Sequence, residues 1–160
     1  MKEYQDVEIL YAEDNPADAE LTLYTLKERK IANNIVWVQD GAEVLDFILR
    51  RGKFAGRPAG MPKMILLDLK MPKVDGIEVL KAIKTDAATQ AIPVIIMTSS
   101  HEETDMVRTY KLGVNSYIVK PVDFDKFAQV VTEVGLYWIV SNKTPDPGAM
   151  AGRGSTTEGP

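Results

Sequence analysis

Four short patches of this 160-residue chain could do chemistry together, and each follows an apolar run. Glu13 and Asp14 come directly after the run at 7–12, and Asp68 after 64–67. Thr98 and Ser99 follow 94–97, and Lys120 and Pro121 follow 117–119. In open parallel sheets, ligands are taken up at the carboxyl ends of the strands. If the runs are strands, the whole set therefore shares one edge. A carboxylate can attack a phosphoryl group and carry it as an aspartyl phosphate. Such a transfer asks less for covalent help than for neutralisation of charge on the equatorial oxygens. Clustered carboxylates repel one another, and Mg²⁺ removes that repulsion, as a hard cation ligated by one or two carboxylates, phosphate and water. On this reading Asp68 is the nucleophile. Asp14 and Glu13 hold the metal from one strand and Asp68 from another. Lys120 brings a mobile point charge to one phosphoryl oxygen, and Thr98 a hydroxyl donor to another.

The elements that must position these residues are legible as a rhythm. Apolar runs of strand length at 7–12, 35–38, 64–67, 94–97 and 117–119 alternate with segments of helical period. The runs are continuous rather than alternating, which suggests strands covered on both faces. Ala17, Leu21 and Tyr24 share one face of the first helical segment. Val44, Leu45, Ile48 and Leu49 do so in the second, Val79, Leu80 and Ile83 in the third, and Val107 with Tyr110 in a weaker fourth. Five βα repeats predict an α/β fold, a doubly wound five-stranded parallel sheet with helices on both sides. Residues 51–63, rich in Gly and Pro, read as an extended loop. The boundaries expected are one domain over 1–142 and a flexible Gly/Pro-rich tail over 143–160.

These residues in this order resemble the signature of response-regulator receiver domains. The resemblance is carried by Glu13-Asp14, Asp68 with Met71-Pro72 and Asp75-Gly76 behind it, Thr98-Ser99, and Tyr117 ahead of Lys120-Pro121. Positions 68, 98 and 120 lie 30 and 22 residues apart, which suits one βα unit and the next strand. The likeness spans roughly residues 7–141. It implies the flavodoxin-like receiver fold and a phosphoacceptor charged by a sensor histidine kinase, a signalling domain rather than a turnover enzyme. It further implies a third Mg²⁺ ligand in the backbone carbonyl of Lys70, a cis peptide between Lys120 and Pro121, and Thr98 with Tyr117 as the switch pair. Glu13 stands where receivers commonly have aspartate, and its extra methylene changes how the metal is held. Ser99 stands where many have Ala or Gly, a position that tunes phosphate lifetime. The run 9–18, the long loop before Asp68 and the stretch 66–72 resemble more narrowly the small response regulators paired with bacterial phytochromes, which implies a bacteriophytochrome kinase as partner.

Other features bound the reading. A formal charge of −4 and no Lys/Arg cluster give no footprint for nucleic acid. No apolar run has the length of a membrane span, and there is no cysteine. A cytoplasmic protein is the expectation. Asp14 or Asn15 ahead of Pro16 also suits a helix N-cap. The lone His101 has no ligand-spaced partner and reads as an exposed loop residue. Phe124, Phe127, Val131, Val134 and Trp138 follow 3-4-3-4 spacing on the last helix, with Val130 and Tyr137 widening the stripe. That excess predicts a second apolar contact, a homodimer face. Three alternatives stay open: a magnesium phosphatase, which would want an acid where Lys70 stands; a flavodoxin-like nucleotide module, which Glu13-Asp14 would oppose; and a degenerate receiver acting by interaction alone.

Overall fold

The computed structural model describes residues 7–32, 34–58 and 60–141, with side chains as far as Gly135. Five strands, β1 (Ile9–Ala12), β2 (Ile35–Val38), β3 (Met64–Leu67), β4 (Val94–Thr98) and β5 (Ser116–Val119), alternate with α1 (Pro16–Glu28), α2 (Gly41–Leu49), α3 (Gly76–Thr85), α4 (Glu103–Leu112) and α5 (Phe124–Ser141). The strands form one parallel sheet in the order β2-β1-β3-β4-β5. The expected doubly wound fold is therefore the one observed. The chain leaves β1 toward one edge and returns at β3 on its other side, so the strand order reverses between β1 and β3. A crevice opens outside the carboxyl ends at such a point.

Alternate residues of each strand serve opposite faces, which is why the runs are apolar throughout. Leu10, Ile65, Leu67, Val94 and Ile96 pack with Val44, Phe47 and Ile48 of α2 and Val79, Leu80 and Ile83 of α3. Ile9, Tyr11, Met64, Leu66, Ile95 and Met97 pack with Ala19 and Leu26 of α1 and Phe127 and Val131 of α5. Three expectations about helix faces are corrected here, the smallest being Leu49 of α2, which is exposed while Val44, Phe47 and Ile48 are buried. Ala17, Leu21 and Tyr24 point away from the sheet, Tyr24 with 62% of its surface exposed; Ala19, Thr22, Thr25 and Leu26 are buried instead. Likewise Val107 and Tyr110 of α4 are exposed, while Asp105 and Thr109 are buried. In α1 and α4 hydroxyls took the inner face because their protons have local acceptors: Thr25 Oγ1 donates to Leu21 O and Thr109 Oγ1 to Met106 O. An apolar stripe alone therefore misplaced the inward face.

The last helix also departs from expectation. Phe127 and Val131 are 1% and 2% exposed, committed to the sheet within one chain and absent from any outer face. Phe124 and Val134 are half-buried against the same cluster. Trp138's side chain lies outside the described residues, as does the predicted tail at 143–160. The apolar spacing of α5 is thus largely explained by the sheet it covers.

The segment at 51–63 is more structured than its Gly and Pro content predicted. Gly52–Phe54 forms a 3-10 helix, and Phe54 meets Phe47 edge to face at 5.1 Å. Arg57, 3% exposed, lies over the Phe47 ring at 4.1 Å. Its guanidinium donates to Phe47 O, Pro58 O and Gly60 O at 2.7 Å each. Two loop carbonyls and the last turn of α2, where carbonyls lack helical partners, are satisfied by one side chain.

Two glycines are dictated by close backbone approach. A Cβ on Gly76 would lie 2.5 Å from Leu69 Cα and 2.6 Å from Asp68 O, and one on Gly41 would overlap Val74 O. The loop from Asp68 to Asp75 folds back so tightly that only glycine fits beneath it. Gly76→Ala is expected to destabilise the protein by roughly 2 kcal/mol or more, as overpacking against main chain does. Arg57→Met, which strands buried carbonyls, should lower stability by about 1–3 kcal/mol. Urea unfolding of both variants checks these values; wild-type midpoints would refute the close-approach and carbonyl-anchor arguments.

Candidate functional site

Register brings the chemical residues together. Ala12 pairs with Leu67, which places Glu13 beside Asp68, and Thr98 pairs with Val119, which places it beside Lys120. Backbone bonds carry the pairing past the strands: Asp68 N donates to Ala12 O at 3.2 Å and Lys120 N to Thr98 O at 2.8 Å. The result is a cleft of about 650 Å³ lined by Glu13, Asp14, Asp18, Asp68, Lys70, Ser99 and Lys120 among others.

At its floor lies a charge cluster. One carboxylate oxygen from each of Glu13, Asp14 and Asp68 lies within 4.8 Å of the others. Glu13 and Asp68 are buried and Asp14 is exposed. The Lys120 ammonium donates to Glu13 Oε1 at 2.8 Å, Asp18 Oδ2 at 3.0 Å and Asp68 Oδ2 at 3.5 Å. Burial pushes the Glu13 carboxyl up to about 7, against the pull of its Lys120 hydrogen bond. Burial would by itself lower the Lys120 ammonium. Its hydrogen bonds to Glu13 and Asp18, with the charge of Asp68, outweigh that and hold it above the ordinary lysine value. Glu13 is further fixed by Trp37 Nε1, which donates to its backbone carbonyl at 2.9 Å, and by Asn15 N, which donates to Oε2.

The capping alternative resolves onto one residue. Asn15 Oδ1 accepts from Ala17 N and Asp18 N, so Asn15 is the N-cap of α1. Asp14 is free of that duty. Thr98 is fully buried at the end of β4, its hydroxyl oxygen accepting from Ser100 N at 3.3 Å. Ser100 Oγ donates to Asp105 Oδ2 of α4 at 2.7 Å, and the half-buried Tyr117 donates its hydroxyl proton to Ser100 O at 3.2 Å. Thr98 and Tyr117 thus meet through Ser100 rather than directly. The Lys70 amide donates to Asp68 Oδ1 at 3.1 Å. The Lys120-Pro121 peptide bond is cis. Ser99 is exposed at the cleft, and His101 is exposed in the loop before α4.

Asp18 and Asp105 were not among the residues singled out from sequence. Asp18 is 102 positions from Lys120, and no linear spacing points from one to the other. Its single signal was an acid in the first turn of α1, which reads as helix-dipole complementarity.

The raised Glu13 pKa has a consequence of definite sign. Unfolded, Glu13 titrates near 4.5; folded, near 7. Between those values the native state binds more protons than the unfolded state, so this contribution falls as pH rises from about 4.5 to 7. At 1.36 kcal/mol per unit the full span is on the order of 3 kcal/mol. Chelator-treated wild type should lose stability over that window relative to Glu13→Gln, measured by urea unfolding at several pH values. Parallel curves would refute the burial argument for Glu13.

Comparison with known proteins converges on one group. Residues 9–132 match the family model described as the response regulator receiver domain. The chain is 41% identical over 139 residues to the probable methanogenesis regulatory protein FilR2 of Methanothrix harundinacea, covering 87% of this chain and 88% of that one. It is 34% identical over 137 residues to the response regulator Rcp1 of Synechocystis, covering 86% and 92%. The bacteriophytochrome response regulator RtBRR superposes with a TM-score of 0.75 at 46% identity, covering 91% of this chain and 87% of that chain. A Mn²⁺-bound form of Rcp1 does so at 0.72 and 34% identity, covering 88% of this chain and 99% of that one. With the acidic cluster, the lysine and the sheet order in place, the chain belongs to the response regulator receiver domain family, whose general function is to accept a phosphoryl group in two-component signalling.

Proposed function

We infer that Asp68 is the phosphoacceptor, that Glu13, Asp14 and Asp68 with the Lys70 backbone carbonyl hold Mg²⁺, and that Thr98 and Lys120 receive the phosphoryl oxygens. The observation that carries this is Asp68 itself: 5% exposed, with an ammonium at 3.5 Å and two other carboxylates within 4.8 Å. Oxygen donors of this hardness and charge suit Mg²⁺, and among the described residues they share one ammonium, Lys120, which pairs with Glu13, Asp18 and Asp68. When bound, Mg²⁺ would neutralise charge that develops on the transferring group.

The chain's own part follows from its geometry. An Asp68 carboxylate oxygen attacks phosphorus and forms the new O–P bond. The P–N bond to the kinase histidine breaks, and the imidazole leaves with the electron pair. Lys120 turns one donor to a phosphoryl oxygen. The Thr98 hydroxyl donates to another, which draws the Ser100 amide now bonded to it. Because Ser100 also contacts Asp105 and Tyr117, movement of Thr98 alters the β4–α4 loop and the setting of Tyr117. The surface formed by α4, β5 and α5, with Val107 and Tyr110 exposed on α4, then changes its affinity for a partner.

The phosphodonor we propose is a sensor histidine kinase of bacteriophytochrome type, supported by the likeness to RtBRR. Among the described residues no helix is long and apolar enough to cross a membrane, and a cytoplasmic setting suits a kinase partner. Among the described residues of the stripe, a homodimer through α5 would use Phe124 and Val134, which are half-buried where Phe127 and Val131 are buried.

Incubation with a small-molecule phosphodonor and Mg²⁺ should add one phosphoryl group by intact mass. Asp68→Asn should show none, and chelation of the metal should slow the gain by at least about a hundredfold, the scale of losing electrostatic stabilisation at a reacting centre. Equal labelling of Asp68→Asn at the same peptide would remove Asp68 from its role.

A further inference from the structure

Of the four acids lining the cleft among the described residues, Asp18 alone has no part in the phosphoacceptor reading. It sits in the first turn of α1, and its carboxylate is not needed to begin that helix, because Asn15 already caps the amides of Ala17 and Asp18. Its Oδ2 instead accepts from Lys120 at 3.0 Å, nearer than Asp68. An ammonium has three donors, and here three carboxylate oxygens receive them: Glu13, Asp18 and Asp68.

The reaction would treat these acceptors unequally. Glu13 and Asp68 belong to the carboxylate group that can gather a cation, whereas Asp18 lies outside it. Asp68 also changes chemically, one oxygen becoming the ester to phosphorus. Asp18 is therefore the acceptor that can stay with Lys120 from the resting to the phosphorylated state. A lysine head on a four-carbon stem has much rotameric freedom to lose, and a fixed anion on a helix limits it.

We propose that Asp18 is a positioning residue for phosphoryl transfer, a tether that keeps the Lys120 ammonium beside Asp68 while Glu13 and Asp68 exchange partners. This rests on Asp68 and Lys120 having the roles given above. Asp18 is 44% exposed in its side chain, so the pair adds little to folding stability. Its effect belongs in the rate.

The test is the phosphorylation rate with acetyl phosphate at saturating Mg²⁺, read by intact mass, with unfolding midpoints taken alongside. Asp18→Asn should slow the reaction by about tenfold, the scale of one charge-assisted hydrogen bond at a reacting centre, at near wild-type stability. Asp18→Glu should recover part of the rate. In a Lys120→Ala background, Asp18→Asn should cause no further loss, because the tether then holds nothing. A helix-dipole role would persist without Lys120, so an equal loss in both backgrounds overturns the proposal. An Asp18→Asn rate at or above wild type also overturns it while leaving the Asp68 reading intact. Failure of the wild type itself to gain a phosphoryl group removes both.

Discussion

Two buried carboxylates side by side are the constraint to which the rest of this molecule answers. Glu13 and Asp68 approach within 4.8 Å at the edge of the sheet, where like charges repel by roughly 3 kcal/mol even at an effective dielectric of about 20. Each is also removed from water. Lys120 offsets both penalties from the end of β5, and its own pKa is held above the ordinary lysine value because of it. A site assembled this way is poised rather than relaxed. It is stable enough to form, and its charge balance is what the proposed phosphoryl transfer would change.

Such crowding is possible because the carboxylates are held by the sheet and not by their own loops. In-register pairing of Ala12 with Leu67 fixes the Glu13 and Asp68 backbones, and pairing of Thr98 with Val119 fixes Lys120. Both faces of β1, β3 and β4 are sealed by helices, so the strands cannot slide without exposing a full row of apolar side chains on one face and burying its polar continuation. The cost of gathering negative charge is thus offset by core packing some distance away. Glycines at 41 and 76 serve the same end, letting the loop behind Asp68 lie flat on its neighbours.

The route from site to surface is short and polar. Thr98, Ser100, Asp105 and Tyr117 link the end of β4 to α4 and β5 through three hydrogen bonds. Polar contacts of this kind have discrete partners, so in the proposed switch a shift at Thr98 would favour one arrangement or another rather than a graded strain. The buried acid and threonine on α4 explain why that helix turns Val107 and Tyr110 outward. An apolar outer face on a helix with a polar inner contact is suited to binding and release.

Much of this was legible in the residues alone. Continuous apolar runs separated by helical periods determine a parallel sheet, because only strands buried on both faces need to be apolar throughout. An acid, a hydroxyl or a lysine immediately after each run then has to fall on the carboxyl edge. Residue type and place after each run likewise marked Asp68, Asp14, Thr98 and Lys120 as candidates, since both are local to each residue. Tertiary structure decided what depends on a second chain segment. It turned α1 so that Thr22 and Thr25 face inward and Leu21 and Tyr24 outward, and it drew Phe127 and Val131 of α5 onto the sheet. It folded 51–63 around the Arg57 guanidinium. It also brought Asp18 to Lys120 across 102 positions. A helix has no inward face until there is a sheet to define one, and an ion pair between distant residues carries no periodicity, so neither leaves a mark in linear spacing.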